Sequence, residues 1–265
     1  DPCTLTLPEG LTTIGSYAFR NKVVAEVMLP TTVKKLNKNT FEKTQSDVIT
    51  KVYVTSKEQY EDTKNFPVGT GHKLYLKDDS VWTADDFTYG EESFGLWPAD
   101  AYQSTKNFTV HVVTGFSDQG KEKIKVNKNL VIPAKDANGK KIQGIGTGAF
   151  QRKATGEEDL QIETLTLPEN VKASCEPSTW QEVQGLNERG DFFIGASAFM
   201  RNKLTTVELP EGVIYVGGNS FKYNGLTSVK FPKTIMQVAG QAFGYNEITV
   251  LDFPEKTDYP LQVDA

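Results

Sequence analysis

The sequence predicts a β-rich solenoid: stacked units of about 22 residues, each with short strands and turns and few short helices. Two observations carry this expectation. Phe199, Phe221 and Phe243 are spaced 22 apart, as are Pro210, Pro232 and Pro254, and the same interval separates Phe19 from Phe41 and Pro8 from Pro30. A fixed period of that size marks stacked repeats. Around these fixed points runs one phrase, L-x-x-V-x-L-P-x-x-V-x-x-V/I-G-x-x-A-F-x-x-N.

The first element of each unit is a short strand ending at the proline. One place before it stand Leu7, Leu29, Ile132, Leu167, Leu209, Phe231 and Phe253, and three places before it Leu5, Val27, Leu130, Leu165, Val207, Val229 and Leu251. This alternation has the period of a strand with one buried face. Val24, Ile162, Leu204, Leu226 and Ile248, six places before the proline, extend the inward set. Proline ends the ladder because it has no N–H to donate.

A second apolar stretch follows, with Leu11 and Ile14, Val33 and Leu36, Val213 and Val216, and Ile235 and Val238. Glycine mostly comes next (Gly15, Gly146, Gly195, Gly217), as suits a turn or a positive φ. A small residue then precedes phenylalanine in Ala18-Phe19, Thr40-Phe41, Ala149-Phe150, Ala198-Phe199, Ser220-Phe221 and Ala242-Phe243. Stacked, the rings form a spine. Asn202, Asn224 and Asn246 follow the phenylalanine by three, where their amides are expected to bond turn backbone.

The phrase I/V-x-L-P-x-x-V-x-x-I-G-x-x-A-F resembles the BspA-like class of bacterial leucine-rich repeats, over about residues 2–64 and 125–256. The resemblance implies a right-handed leucine-rich superhelix in a secreted or cell-surface protein. The Asn/Cys place that the commoner leucine-rich consensus keeps after its strand is held here by Gly212 and Thr234.

Two breaks interrupt the repeats. After Phe41 a final strand over Val48 to Val54, a serine cap at Ser56 and a short helix are expected to end a first array, placed at residues 1–77. An aromatic-rich stretch with Trp82, Phe87, Tyr89, Phe94, Trp97, Tyr102 and Phe108 then reads as the cap of a second array, residues 78–265. Longer spacings follow Pro133, Phe150 and Pro168, the last containing an insertion from Lys172 to Asp191, and surface loops of this kind cost little closure entropy. Beginning in mid-repeat without a methionine, the chain is expected to be an excised or processed fragment.

Composition narrows the function. The chain has 265 residues and a net charge of −5, with cations and anions interspersed, so it offers no basic stripe for nucleic acid. No apolar run reaches the roughly 18 residues of a membrane span. Cys3 and Cys175 read as free thiols, and two cysteines supply too few ligands for zinc. Leu29-Pro30-Thr31-Thr32 is repeat grammar rather than a wall-sorting signal. His72 and His111 are the only histidines, and no nucleophilic triad can be assembled around either from the sequence. The acid pairs Asp78-Asp79, Asp85-Asp86 and Glu91-Glu92 read as solvated, with no calcium loop among them.

The expectation is therefore a non-enzymatic monomer without catalytic residues, metal or cofactor. Its candidate ligand-binding residues are the outward positions of the proline-terminated strands: Glu26, Met28, Thr206, Glu208, Ser228, Lys230, Val250 and Asp252. By resemblance such a face meets a protein of a host, a matrix or another cell, and the setting is extracellular or at the cell surface. A spacer in a larger surface protein, or a carbohydrate-binding module using Trp82, Trp97 and Trp180, are the alternatives.

Overall fold

A computed structural model describes residues 3–20, 24–41, 51–68, 72–96, 106–169, 191–258 and 261–264. The chain divides into two compact units, Asp1–Val81 and Trp82–Ala265. Both are parallel β-solenoid of the leucine-rich type.

In the first unit the strands are β1 (Cys3–Thr6), β2 (Thr13–Ile14), β3 (Val24–Met28), β4 (Lys35–Leu36), β5 (Lys51–Val54) and β6 (Lys73–Leu76), with helix α1 (Lys57–Glu61). A four-stranded sheet has the order β1-β3-β5-β6 with every neighbour parallel, while β2 and β4 pair separately. The Ser56 hydroxyl accepts from the Gln59 N–H, as the sequence suggests. Helix α1 does not close the sheet, however, because β6 adds one more strand after it. Buried Gln59 ties the helix to the preceding turn, donating to the carbonyls of Pro30 (3.1 Å) and Val33 (2.8 Å).

The second unit opens with an antiparallel hairpin, β7 (Phe87–Leu96) and β8 (Lys106–Phe116), followed by α2 (Asp118–Val126). The proline-terminated strands are β9 (Asn129–Val131), β11 (Thr164–Thr166), β13 (Thr206–Glu208), β15 (Ser228–Lys230) and β17 (Val250–Asp252). The second strands of the repeats are β10 (Gly144–Ile145), β12 (Phe192–Ile194), β14 (Val213–Val216), β16 (Gln237–Val238) and β18 (Gln262–Val263). They continue the hairpin as one sheet of order β18-β16-β14-β12-β10-β8-β7. Around β12 both faces of this sheet are buried, so Phe192-Phe193-Ile194 reads as an unbroken apolar run. On one of them Phe94 and Phe108 of the hairpin lie 5.1 and 6.0 Å from the Phe193 ring.

The other face packs on the spine. Successive rings from Phe150 to Phe199 to Phe221 to Phe243 stand 5.4, 5.3 and 5.3 Å apart, the last pair at 1° between planes. Phe150, Phe199 and Phe221 are wholly buried. The asparagines bond turn backbone across two units at once. Asn202 donates to the carbonyls of Phe150 and Phe199 (both 2.9 Å) and accepts from the Ile162 N–H (2.9 Å). Asn224 repeats this with Phe199, Phe221 and Leu204, and Asn246 with Phe221, Phe243 and Leu226. At the non-consensus place after the strand, the Thr234 hydroxyl accepts from Gly212 N–H (2.9 Å) and donates to the Val213 carbonyl (3.0 Å).

The glycines after the second strand do not serve a positive φ. A side chain at Gly195 would meet the Thr147 nitrogen at 2.6 Å, and one at Gly217 the Ala196 nitrogen at 2.7 Å, so close approach of neighbouring turns is what excludes a Cβ. The left-handed positions lie elsewhere: two residues before the spine ring (Tyr17, Ser197, Asn219, Gln241) and two after it (Arg201, Tyr223, Tyr245), with φ from 54° to 62°. A non-glycine residue there costs on the order of 1–2 kcal/mol.

Three substitutions test this account by urea or thermal denaturation. Phe221→Ala is expected to lose about 3–5 kcal/mol of stability. Asn202→Ala is expected to lose about 3 kcal/mol by stranding buried backbone groups. Asn202→Asp should fare no better, because an ionised carboxylate cannot donate to the two carbonyls. A melting curve matching the parent would refute either role.

Candidate binding surface

The parallel register sets the outward residues of β13, β15 and β17 in two rows, Thr206 with Ser228 and Val250, and Glu208 with Lys230 and Asp252. All are exposed except half-buried Ser228. The Lys230 ammonium lies 2.7 Å from Glu208, and that hydrogen bond, with the charges of Glu208 and Asp252, raises the lysine's pKa. At the proline ends of the strands a groove of about 470 Å³ is lined by Leu167, Glu208, Pro210, Glu211, Lys230 and Pro232, among others.

In the first unit Glu26 aligns with Lys51 and Lys73, and Met28 with Tyr53 and Tyr75. The tyrosine rings stand 5.3 Å apart, Lys73 lies 5.3 Å from the Tyr75 ring, and Lys77 lies 5.9 Å from that of Tyr53. The Tyr53 hydroxyl donates to Glu26 at 3.5 Å. Burial first, then the charge of Glu26, pushes the Tyr53 phenol up to about 12. These tyrosines and lysines are additions to the sequence-derived set. Their signal was present, since Lys51-Val52-Tyr53-Val54 and Lys73-Leu74-Tyr75-Leu76 share one alternation, but neither strand ends in proline.

The structure moves other candidate groups out of solvent. Asp86 is fully buried: its carboxylate accepts from Lys123 (2.7 Å), Gln119 (2.8 Å) and the Thr83 N–H (2.7 Å), so the Asp85-Asp86 pair is not simply solvated. Glu91 contacts His111 and Lys140, and Glu92 accepts from the Thr147 N–H at 2.8 Å. His111 is buried against Tyr89, with Nδ1 3.2 Å from Glu91 and Nε2 3.0 Å from Asp136. Carboxylates occupy both ring nitrogens, which leaves neither directed at a nucleophile. Hydrogen bonding to Lys140 holds the Glu91 carboxyl below its ordinary value. His72 packs 5.9 Å from the Phe41 ring.

Trp82 is also not an exposed sugar platform. It is buried against Phe87 and Phe116 and donates to the Asn129 carbonyl at 2.7 Å, as a cap residue does. Trp97, Trp180, Cys175 and nearly all of the insertion from Lys172 lie outside the described residues. Among the described residues no group of three or more His, Cys, Asp or Glu could hold a metal, and no helix is long and apolar enough to cross a membrane.

The family model of the BspA type leucine rich repeat region matches the chain in six copies, over residues 3–67 and 193–260, half of its length. The chain belongs to this family. Between the two matched regions, β9 and β11 pair in parallel and Phe150 joins the spine, so the BspA-type stack also takes in turns that the family model leaves out. A leucine rich cell surface protein from Faecalibacterium prausnitzii A2-165 is similar at 14% identity and a TM-score of 0.30, with 94% of this chain and 59% of that one covered. The chain thus spans less than two thirds of that protein. No curated protein gives a significant match.

The Tyr53 phenol supplies a pH test. Because its folded pKa lies above the ordinary value of 10.0, the folded state holds the proton more tightly than the unfolded state. The associated stability is fully present below pH 10 and is lost as pH rises toward 12. Alkaline titration followed by phenolate absorbance is expected to show a late-ionising tyrosine that Tyr53→Phe removes. An identical titration for the variant would refute the assignment.

Proposed function

We propose that this chain is a non-enzymatic bacterial leucine-rich repeat protein, secreted or at the cell surface, that adheres to a protein of a host, a matrix or another cell through its outward sheet rows. The BspA-type family supports the repeat-scaffold role and the surface setting. The observation that carries the binding role is the row of Tyr53 and Tyr75 flanked by Lys73 and Lys77. Tyrosine is among the residue types that dominate interface energies, because it brings large contact area with few rotors. The second unit adds the rows through Glu208, Lys230 and Asp252, whose charges select partners more than they add affinity.

A binding screen against immobilised matrix proteins, host-cell surface proteins and glycans tests this reading. Two variants accompany the parent, Tyr53→Ser/Tyr75→Ser and Glu208→Ser/Lys230→Ser/Asp252→Ser. The expected result is a protein ligand whose affinity falls by about thirtyfold or more in the tyrosine variant, the loss of two anchors, with folding retained. No protein ligand in the screen, or one bound equally by both variants and the parent, would overturn it.

A further inference from the structure

A second surface of the second unit has the chemistry of a docking site, and it is built from a different part of the repeat. Two positions past the spine ring, four successive turns carry Arg152, Arg201, Tyr223 and Tyr245. The backbone N–H of Arg152 donates to the Met200 carbonyl (3.0 Å), that of Arg201 to Lys222 (3.0 Å) and that of Tyr223 to Gly244 (3.1 Å), which fixes the four turns in a column. The Arg201 guanidinium lies 4.5 Å from the Tyr223 ring centroid, and the Tyr223 and Tyr245 rings stand 4.6 Å apart. Lys222 reaches both rings, at 5.4 and 5.0 Å.

Three features set this column apart from ordinary solvated surface. Arg201, Tyr223 and Tyr245 stand at φ of 62°, 57° and 56°, where glycine or asparagine would be cheaper. The other left-handed place of the same turns holds Ser197, Asn219 and Gln241, none of them aromatic or charged, so the bulky side chains are confined to the column. Strain of this kind is a pointer to function. Second, among the described residues none of the ion pairs uses Arg152, Arg201 or Lys222, in a chain whose net charge is −5. Third, Arg152 in the adjoining turn is buried with its guanidinium 5.4 Å from the Phe116 ring, so it lies beneath the column and leaves Arg201 and Lys222 as the column's accessible cations.

The geometry also selects the ligand class. The ring faces inside the column are taken up by one another and by the cations, and the outer face of Tyr245, 69% exposed, is the one large aromatic surface left for stacking. Sugar rings need open faces. The column's remaining valences are edge donors: guanidinium and ammonium N–H groups and phenol hydroxyls. A guanidinium stacked on a ring still presents its planar fork to a carboxylate.

We propose that Arg201, Lys222, Tyr223 and Tyr245 form a docking surface for an acidic, Asp/Glu-rich segment of a partner protein. This surface is separate from the outward sheet rows and does not depend on their role.

The test uses the full 265-residue chain and a fluorescein-labelled decaglutamate peptide, with binding read by anisotropy over a salt series. The central variant is Arg201→Asn/Tyr223→Asn/Tyr245→Asn, because asparagine tolerates the left-handed backbone and the fold should melt no lower than the parent. The expected result is parent binding that weakens with salt, an affinity about tenfold or more lower in this variant, and binding at least as tight in the Glu208→Ser/Lys230→Ser/Asp252→Ser variant. Absence of parent binding, or parent-like binding by the asparagine variant, would overturn the proposal. So would a heparin-derived oligosaccharide that binds the column more tightly than the peptide, which would assign it to acidic glycans.

Discussion

Each turn of this stack completes the hydrogen bonding of its neighbour. An amide side chain such as that of Asn224 spans two turns, taking the carbonyls of Phe199 and Phe221 and an N–H from Leu204. Without it, tight turns carrying buried backbone would hold orphaned polar groups, which protein interiors do not tolerate cheaply. Because the asparagine has one donor pair and one acceptor, it also fixes how far one turn can slide over the next. The spine rings and the parallel strands then inherit a common register.

That constraint explains why so few letters recur. Phenylalanine, asparagine and the inward aliphatics are buried against the adjoining turn, which restricts each to one kind of side chain; the outward strand positions face solvent and vary among Thr206, Ser228 and Val250 in one row. A binding surface on such a scaffold is therefore written in the residues that the repeat leaves unspecified. Tyr53 and Tyr75 on one unit, and Tyr223 and Tyr245 on the other, are of this kind.

Much of the fold was legible because it is local and periodic. The alternation before each proline gave the strands, the phenylalanine interval gave the spine, and Asn202, Asn224 and Asn246 could be assigned to turn backbone from spacing alone. What escaped were relations between turns. The reason for Gly195 and Gly217 is the proximity of a neighbouring backbone, invisible in one unit. The partners of His111 come from a hairpin register and a loop 25 residues away, and the burial of Asp86 from helix α2 folding back upon it. Only part of the candidate surface was readable. Strands β5 and β6 end without proline, so the repeat phrase does not mark their outward tyrosines, and no sequence rule flags a tyrosine at a left-handed position.

The interval between paired strands has a kinetic side. Thr206 finds Ser228, and Ser228 finds Val250, across the same 22 residues, so the last turns close loops of one size, while Asn129 and Thr164 close one of 35. Closure entropy grows only with the logarithm of loop length, so the longer turns cost little more than the short ones. Assembly can then advance like a zipper from whichever turn forms first. The antiparallel hairpin of β7 and β8, with its ladder of ten paired positions, is the natural place for the second unit to begin.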